Sequence, residues 1–177
     1  MEHKIIFSGP VGAGKTTAIK TISDIPVVDT ESRASDQVAL CKETTTVAMD
    51  YGAISLPGGD KLHLYGTPGQ ERFSFMWEIT ASGGLGLVLL IDNTSNDPLA
   101  DLAFYMSAFP EFAQKKQVVF GITHTDVSAS PSLDPYRERL LQMNMVVPVF
   151  EVDPRKYSDV SVLLQALLAI LDPGIAR

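Results

Sequence analysis

Three observations in the sequence predict an α/β fold, in which a mostly parallel β-sheet carries helices on both faces. Short apolar runs of strand length alternate with segments of helical composition, and this alternation is typical of parallel sheets. Two of the runs, 85–92 and 117–122, are almost continuously apolar, as expected for central strands that are buried on both faces. A glycine-rich stretch at 9–14 follows the first strand. Because ligands of such sheets bind at the carboxyl ends of the strands, this stretch marks a candidate site.

The first part of the chain predicts a strand at 4–8 and a helix at 17–22. The helix is expected to end near Pro26, because a proline disfavours helix in the residue before it. Residues 27–46 are polar and show no sustained period. A connection of this length inside a compact domain is usually functional or mobile.

The next segments predict a hairpin and then three strands, each followed by a helix. Alternating segments at 47–56 and 61–65 flank a turn at 57–60 and form the hairpin. Further strands are predicted at 85–92, 117–122 and 146–152, and helices at 97–109, 134–143 and 158–171. Asp134 and Ser158 are the expected N-caps of the last two helices. The result is a six-stranded, mostly parallel sheet in which the hairpin supplies one antiparallel edge strand.

The composition fits a single domain over residues 1–177, since a chain of this length with 45% hydrophobic residues can bury one core. The net charge of -7, without a Lys/Arg cluster, argues against a nucleic-acid partner. The apolar run at 85–91 is too short to span a bilayer, and the sequence shows neither a signal peptide nor a prenylation site. The single Cys41 cannot form an internal disulfide. We expect a cytoplasmic protein, monomeric on its own, without a membrane anchor.

Residues 9–17 fit the pattern G-x-x-x-x-G-K-[ST] of a phosphate-binding loop. Backbone N–H groups of such a loop wrap a polyphosphate, and Cβ atoms at Gly9, Gly12 or Gly14 would hold the backbone away. Lys15 is expected to reach the outer phosphates and stabilise the transition state, and Thr16 to bind Mg²⁺. The helix that follows adds its positive dipole end. The expected nucleotide-binding residues here are Gly9, Pro10, Val11, Gly12, Ala13, Gly14, Lys15, Thr16 and Thr17.

A glycine-rich turn with a surface lysine is the alternative interpretation of this loop. The apolar strand directly before it, Lys4–Ser8, is the context that a phosphate loop requires. The sequence therefore favours a nucleotide site.

Five segments, in the same order along the chain, resemble the Ras-superfamily small GTPases, and Rab-like ones in particular. They are the phosphate loop at 9–17, Thr46–Tyr51 in the first switch, Thr67–Phe73 in the second switch, the strand Leu87–Asp92, and Thr123–Asp126 at the base-binding position. The two switches look most like bacterial small GTPases related to the MglA polarity proteins and the conservon-type GTPases. The resemblance implies a P-loop NTPase fold, GTP or GDP with Mg²⁺ as ligands, and a roadblock-type or other GTPase-activating or effector protein that binds the switch loops.

The resemblance also implies roles in the two switches. Thr46 would be a second Mg²⁺ ligand and would sense the γ-phosphate, although Thr44 or Thr45 could take its place by a one-residue slip. Gly69 would contact the γ-phosphate through its N–H, and Gln70 would orient the attacking water as a catalytic residue. An ordinary strand threonine and a solvated polar loop are the alternatives.

The base-binding segment predicts guanine. The carboxylate of Asp126 can accept hydrogen bonds from the N1–H and 2-amino groups of guanine, which adenine cannot donate, and His124 could lie flat against the base. Thr123 holds the position before them. By resemblance, the loop around Asp153 and Pro154 would touch the guanine oxygen through its backbone. A polar turn after a strand is the alternative interpretation.

Three positions depart from the pattern of the resembled family. Gly66 replaces an aspartate that holds a Mg²⁺-bound water, so we expect a weaker metal site. Thr123 replaces an asparagine, so a bond between the base loop and the phosphate loop is expected to be missing. Val11 crowds the place of the catalytic glutamine, and Arg33 in the first switch could supply an arginine from within the chain.

These observations predict a GTP/GDP molecular switch with slow, partner-stimulated GTP hydrolysis. A nucleotide-binding interaction protein that has lost turnover is a second hypothesis, because of Val11 and Gly66. An ATP-dependent phosphotransferase is a third, but the sequence shows no lid or acceptor site for it.

Overall fold

The computed structural model describes residues 1–29, 49–127 and 132–171. In chain order they form β1 (Glu2–Ser8), α1 (Lys15–Ile22), β2 (Val28–Asp29), β3 (Asp50–Ser55), β4 (Lys61–Gly66), α2 (Phe75–Ala81), β5 (Gly86–Asp92), α3 (Pro98–Ser107), α4 (Pro110–Lys115), β6 (Val118–Thr123), α5 (Asp134–Gln142), β7 (Val149–Glu151) and α6 (Tyr157–Leu171). Two short 3-10 turns, Glu71–Phe73 and Thr125–Val127, complete the described elements.

The strands form one mostly parallel sheet in the order β2-β3-β4-β1-β5-β6-β7. β1 is parallel to β4 and β5, and β6 is parallel to β5 and β7. β3 is antiparallel to both β4 and β2. The predicted α/β class and the antiparallel hairpin are confirmed. The two-residue strand β2 was not predicted, and it separates β3 from the sheet edge.

The sheet has an apolar core on each face, because successive side chains of a strand point to opposite sides. In β1, Ile5 and Phe7 face the core under α1 and α6, whereas Ile6 faces the core under α2, α3, α4 and α5. All three side chains are fully buried. Burial of one such side chain contributes roughly 1.5–3 kcal/mol, so the two cores fix the sheet and the loops at its carboxyl edge.

Two glycines bring α6 close to the middle of the sheet. A Cβ atom at Gly86 would lie 2.8 Å from Leu167 Cδ1, and one at Gly121 would lie 3.0 Å from Leu163 Cδ1. Leu163 and Leu167 are fully buried and one helical turn apart. Each leucine therefore fills a space that the missing side chain leaves on the sheet.

Several element boundaries differ from the predictions. Helices α2 and α4 were not predicted. Both are so short that they show too little of the 3.6-residue period to be recognised. Asp134 is the first residue of α5 rather than its N-cap, and Ser158 lies inside α6. Strand β7 begins only at Val149, after Pro148, which has no N–H group to donate.

Candidate functional site

The loop between β1 and α1 wraps an open space with its backbone. Gly12 and Gly14 have φ angles of 81° and 95°, which favour glycine. A Cβ atom at Gly9 would overlap the carbonyl oxygen of Leu90, and one at Gly14 would lie 2.7 Å from Pro154 Cγ. Within the described ranges, no atom lies within 4 Å of the place where a Cβ of Gly12 would be. The loop therefore packs against Leu90 and Pro154 and leaves open space at Gly12.

The side chain of Lys15 lies under this loop. Its Nζ atom donates hydrogen bonds to the carbonyl oxygens of Gly9 and Pro10, each at 2.7 Å. Lys15 is only 7% exposed. The two carbonyl groups therefore hold the buried ammonium next to the cleft that the loop surrounds.

A carboxylate lies beside the first residues of α1. Thr16 Oγ1 donates a 2.6 Å hydrogen bond to Asp50 Oδ2, and Asp50 is 8% exposed. Asp50 pairs directly with Gly66 across β3 and β4, and a Cβ atom at Gly66 would lie 2.9 Å from the same oxygen. The neighbouring strand therefore supplies an acidic group where Gly66 has none, and the weaker metal site expected from Gly66 stays a prediction.

The turn after β4 closes one side of the same cleft. Thr67 Oγ1 donates to Ser8 Oγ at 2.8 Å, and both side chains are buried. Gly69 lies so close to the phosphate loop that a Cβ atom there would be 2.8 Å from Lys15 Nζ and from Val11 N. A cleft of about 230 Å³ remains, lined by Val11, Gly12, Gly14, Lys15, Thr16, Thr17, Asp50, Thr67, Pro68 and Gly69.

Gln70 follows this turn but does not line the cleft. Its side chain is exposed, and its backbone precedes the 3-10 turn Glu71–Phe73. Val11 is 64% exposed at the cleft rim. The structure thus places Gly69 next to the phosphate loop, whereas Gln70 lies outside the cleft in this conformation.

The base-side loop is tied to the phosphate loop by Thr123. Its Oγ1 atom donates to the carbonyl oxygen of Ala13 at 3.0 Å, and Thr123 is fully buried. The expectation that the bond between the base loop and the phosphate loop is missing is therefore wrong, because the Thr123 hydroxyl reaches the phosphate loop at Ala13. His124 follows with a positive φ of 57°, and its Nδ1 lies 3.1 Å from Asp92 Oδ1.

Asp126 lies at the mouth of a larger cleft, where its side chain is 67% exposed and 3.9 Å from Arg155 Nη2. The guanidinium of Arg155 also donates to both carboxylate oxygens of Asp153, at 2.8 and 2.9 Å. These hydrogen bonds hold the pKa of Asp153 at about 2, below its ordinary value. The carbonyl oxygen of Pro154 accepts from Thr21 Oγ1 at 2.7 Å.

This larger cleft has a volume of about 810 Å³, within the range of ligand sites. It is lined by Gly12, Gly14, Thr17, His124, Thr125, Asp126, Val127, Glu151, Val152, Asp153, Pro154, Arg155, Lys156 and Asp159. It shares Gly12, Gly14 and Thr17 with the smaller cleft. The two clefts are therefore continuous along the loop between β1 and α1.

The sequence did not single out Asp50, Trp77 and Tyr105 as site residues. Asp50 could have been found from the hairpin register, which places it opposite Gly66. Trp77 and Tyr105 bind the turn at 68–69 from α2 and α3, and no local pattern signals that contact. Thr46, its alternatives Thr44 and Thr45, and Arg33 and Cys41 lie outside the described residues.

The fold and the site define a nucleotide-binding P-loop protein. A family described as "Conserved hypothetical ATP binding protein" matches residues 26–172, and the chain belongs to this family. The matched segment begins after the phosphate loop. In the part of the chain that the structure describes, no helix is both long enough and apolar enough to cross a membrane.

Individual relatives are distant. The uncharacterized protein MJ1339 of Methanocaldococcus jannaschii is 26% identical over 137 residues, which cover 76% of this chain and 78% of the relative. The Ras-related protein Rab-12 of Mus musculus is 27% identical over 113 residues, or 63% of this chain, and Rab-12 of Homo sapiens gives the same identity. The aligned part spans 42% of the length of Rab-12.

Proposed function

We propose that the protein is a small GTPase, a switch that binds GTP or GDP with Mg²⁺ and hydrolyses GTP slowly. The observation that carries the proposal is the continuity of the two clefts, with the phosphate loop at one end and Asp126 at the other. The similarity to Rab-12 supports a switch function.

The phosphate end supplies a cation and backbone donors. Lys15, held at Gly9 and Pro10, would stabilise the negative charge that develops on the transferred phosphoryl group. The open space at Gly12 leaves room for phosphate oxygens beside the loop N–H groups. Binding here would be strengthened by the positive end of the α1 dipole.

The residues at this end also fit a magnesium ion. Mg²⁺ prefers oxygen ligands and commonly takes one or two from the protein and the others from phosphates and water. Thr16 offers a hydroxyl, and the Asp50 carboxylate next to it could hold a bound water. Among the described residues, no group of three or more His, Cys, Asp or Glu could bind a metal alone. The phosphates of the nucleotide would supply further oxygen ligands. Bound Mg²⁺ would neutralise charge on the phosphates.

The base end favours guanine over adenine. The exposed carboxylate of Asp126 can pair with two adjacent donors of guanine, and a site built on such bonds can reject a base that lacks them by as much as about 10⁴-fold. Arg155 lies 3.9 Å from this carboxylate and is held by Asp153, so it can stay beside the bound base. His124, Asp153 and Pro154 would form the walls.

Hydrolysis would need a rearrangement of the second switch. Gln70 is exposed outside the cleft, so it must turn inward to orient a water molecule. A GTPase-activating or effector protein, of the roadblock type or another, could impose this change on the switch loops. Phe75 and Ile79 of α2 are 60% and 64% exposed next to this region, and they offer an apolar contact for such a partner.

A nucleotide-binding interaction protein without turnover is the second candidate. It is favoured by one observation, that Gln70 lies outside the cleft while Val11 occupies its rim. In that case the switch loops would still respond to the nucleotide, but no diphosphate would form.

Two measurements test these proposals. We expect GDP to bind more tightly than ATP, and Asp126→Ala to abolish this preference; Glu138→Ala, on the exposed face of α5, is the control. Equal binding of ATP and GDP by the wild-type protein would refute the guanine assignment. Single-turnover GTP hydrolysis, with and without cell extract, separates the two candidates, because absence of diphosphate in both conditions excludes the enzyme.

A further inference from the structure

Two buried aromatic side chains hold the turn that closes the phosphate end. The indole Nε1 of Trp77 donates to the carbonyl oxygen of Pro68 at 2.7 Å. The hydroxyl of Tyr105 donates to the carbonyl oxygen of Gly69 at 2.9 Å. Trp77 and Tyr105 are each 2% exposed, and their ring centroids lie 5.0 Å apart. The turn is therefore fixed by α2 and α3 as well as by its own chain.

The hydrogen bond from Trp77 also sets the direction of the Gly69 N–H group. The described residues contain no cis peptide bond, and in a planar trans peptide the C=O and N–H groups point in opposite directions. The Pro68 carbonyl and the Gly69 N–H belong to the same peptide. A carbonyl that is held toward Trp77 therefore aims the N–H away from Trp77.

On the other side, Gly69 faces the phosphate loop. A Cβ atom at Gly69 would lie 2.8 Å from Lys15 Nζ and 2.8 Å from Val11 N. Pro68 and Gly69 line the same 230 Å³ cleft as Lys15 and Thr16. The outermost phosphate of a bound triphosphate would have to fit between the loop and this turn.

We propose that Trp77 is a positioning residue that orients the Gly69 N–H toward the terminal phosphate of a nucleoside triphosphate. The terminal phosphate of a triphosphate would then accept a hydrogen bond from the oriented Gly69 N–H. A diphosphate would not reach this donor. Tyr105 fixes the next peptide in the same way. The inference deepens the proposed function and rests on it, because it assumes that a nucleotide tail occupies the cleft.

The donor at Tyr105 persists over the physiological pH range. Burial, together with the charges of Glu71 and Asp101, raises the pKa of Tyr105 to about 12. The hydroxyl therefore stays protonated and keeps its hydrogen bond to Gly69. The indole of Trp77 has no acid–base transition at these pH values.

The test compares triphosphate and diphosphate binding in Trp77→Phe, which keeps an aromatic ring beside Tyr105 and Phe109 and removes the donor together with part of the indole. One hydrogen bond contributes about 0.5–1.5 kcal/mol. We therefore expect the affinity for a non-hydrolysable GTP analogue to fall roughly two- to twelvefold, with GDP affinity nearly unchanged. Phe104→Leu is the matched control, because Phe104 contacts the ring of Trp77 but does not bond the turn. It should not alter the ratio of the two affinities.

A spectroscopic measurement follows the same bond directly. Trp77 is the only tryptophan of the chain, so a ¹H–¹⁵N spectrum contains a single indole N–H signal. We expect this signal to shift more with the GTP analogue than with GDP. If Trp77→Phe does not fold, Tyr105→Phe removes one hydroxyl and should change the affinity ratio in the same direction.

The outcomes separate the inference from the proposed function. An unchanged affinity ratio in a folded Trp77→Phe protein would overturn the positioning role while GTP binding by the wild type stands. A wild-type protein that prefers ATP would refute the guanine assignment, and the same comparison with an ATP analogue and ADP would then test Trp77. A wild-type protein that binds no nucleotide would overturn both.

Discussion

The hydroxyl of Thr16 donates to Asp50 at 2.6 Å, and Asp50 lies directly across the strand pair from Gly66. The carboxylate beside the candidate metal position therefore comes from β3 and not from the end of β4. Because the two strands are adjacent, either one can deliver a carboxylate to the same place. The contact between Gly66 and Asp50 shows why only one of them carries a side chain there: a Cβ at Gly66 would lie 3.0 Å from Asp50 Cβ.

We predict that Asp50→Ala raises the Mg²⁺ concentration needed to slow nucleotide release by about 10- to 100-fold, the usual effect of losing an outer-shell partner. The double variant Asp50→Gly/Gly66→Asp should recover most of this loss, since it moves the carboxylate across the strand pair. Release of a fluorescent GDP over a titration of free Mg²⁺ measures both effects. An unchanged Mg²⁺ dependence in Asp50→Ala would contradict the assignment, and Glu138→Ala serves as the control.

Thr123→Val should lower stability and loosen the contact between the base loop and the phosphate loop. The substitution removes the hydroxyl that donates to Ala13 O and leaves that buried carbonyl without this partner, at a cost of about 1–3 kcal/mol. In a chain of this size, each 1 kcal/mol lowers the melting temperature by about 2–4 °C. Thermal unfolding measures the effect. Thr123→Ser keeps the hydroxyl, and a melting temperature as low as that of Thr123→Val would argue against the hydrogen bond.

The pair of Asp153 and Arg155 predicts a narrow pH dependence. The hydrogen bonds from Arg155 lower the pKa of Asp153 from 3.8 to about 2. A folded-state pKa below the unfolded value stabilises the protein above that range, and this contribution is lost as the pH falls from about 4 to about 2. Between pH 5 and 8 the pair should contribute no pH dependence. Carboxyl ¹³C NMR should show the pKa of Asp153 rising toward its ordinary value in Arg155→Ala.

Gln70→Ala should separate binding from hydrolysis. Gln70 does not line either cleft, so GTP and GDP affinities are expected to stay within about twofold of the wild type. Single-turnover hydrolysis should slow by about tenfold or more, because the water is no longer oriented. Glu71→Ala is the neighbouring control. Equal hydrolysis rates in the wild type and Gln70→Ala would remove Gln70 from the catalytic residues.

The parts of the site that are local in sequence could be predicted. The phosphate loop at 9–17 lies between a strand and a helix, and its glycines adopt positive φ angles as the pattern requires. The base-side segment at 123–126 lies at the end of β6, next to the phosphate loop. The parallel sheet followed from the apolar runs, because continuous apolar character reflects burial on both faces.

The parts that depend on distant contacts could not be predicted. Gly66 alone indicated a missing carboxylate, since the composition of β4 does not reveal what β3 presents to it. Thr123 indicated a missing bond, since the reach of its hydroxyl to Ala13 depends on the spacing of β1 and β6. Trp77 lies in a helix of only seven residues, and its contact with Pro68 depends on tertiary packing alone.

Gly86 and Gly121, the two glycines under α6, fix the position of this helix on the sheet. Leu163 and Leu167 seat in the gaps at Gly121 and Gly86, so the last helix cannot slide along the sheet without emptying both gaps. The segment 152–156 leads into that helix and forms one wall of the larger cleft. We therefore expect this wall of the larger cleft to keep its shape when a ligand binds.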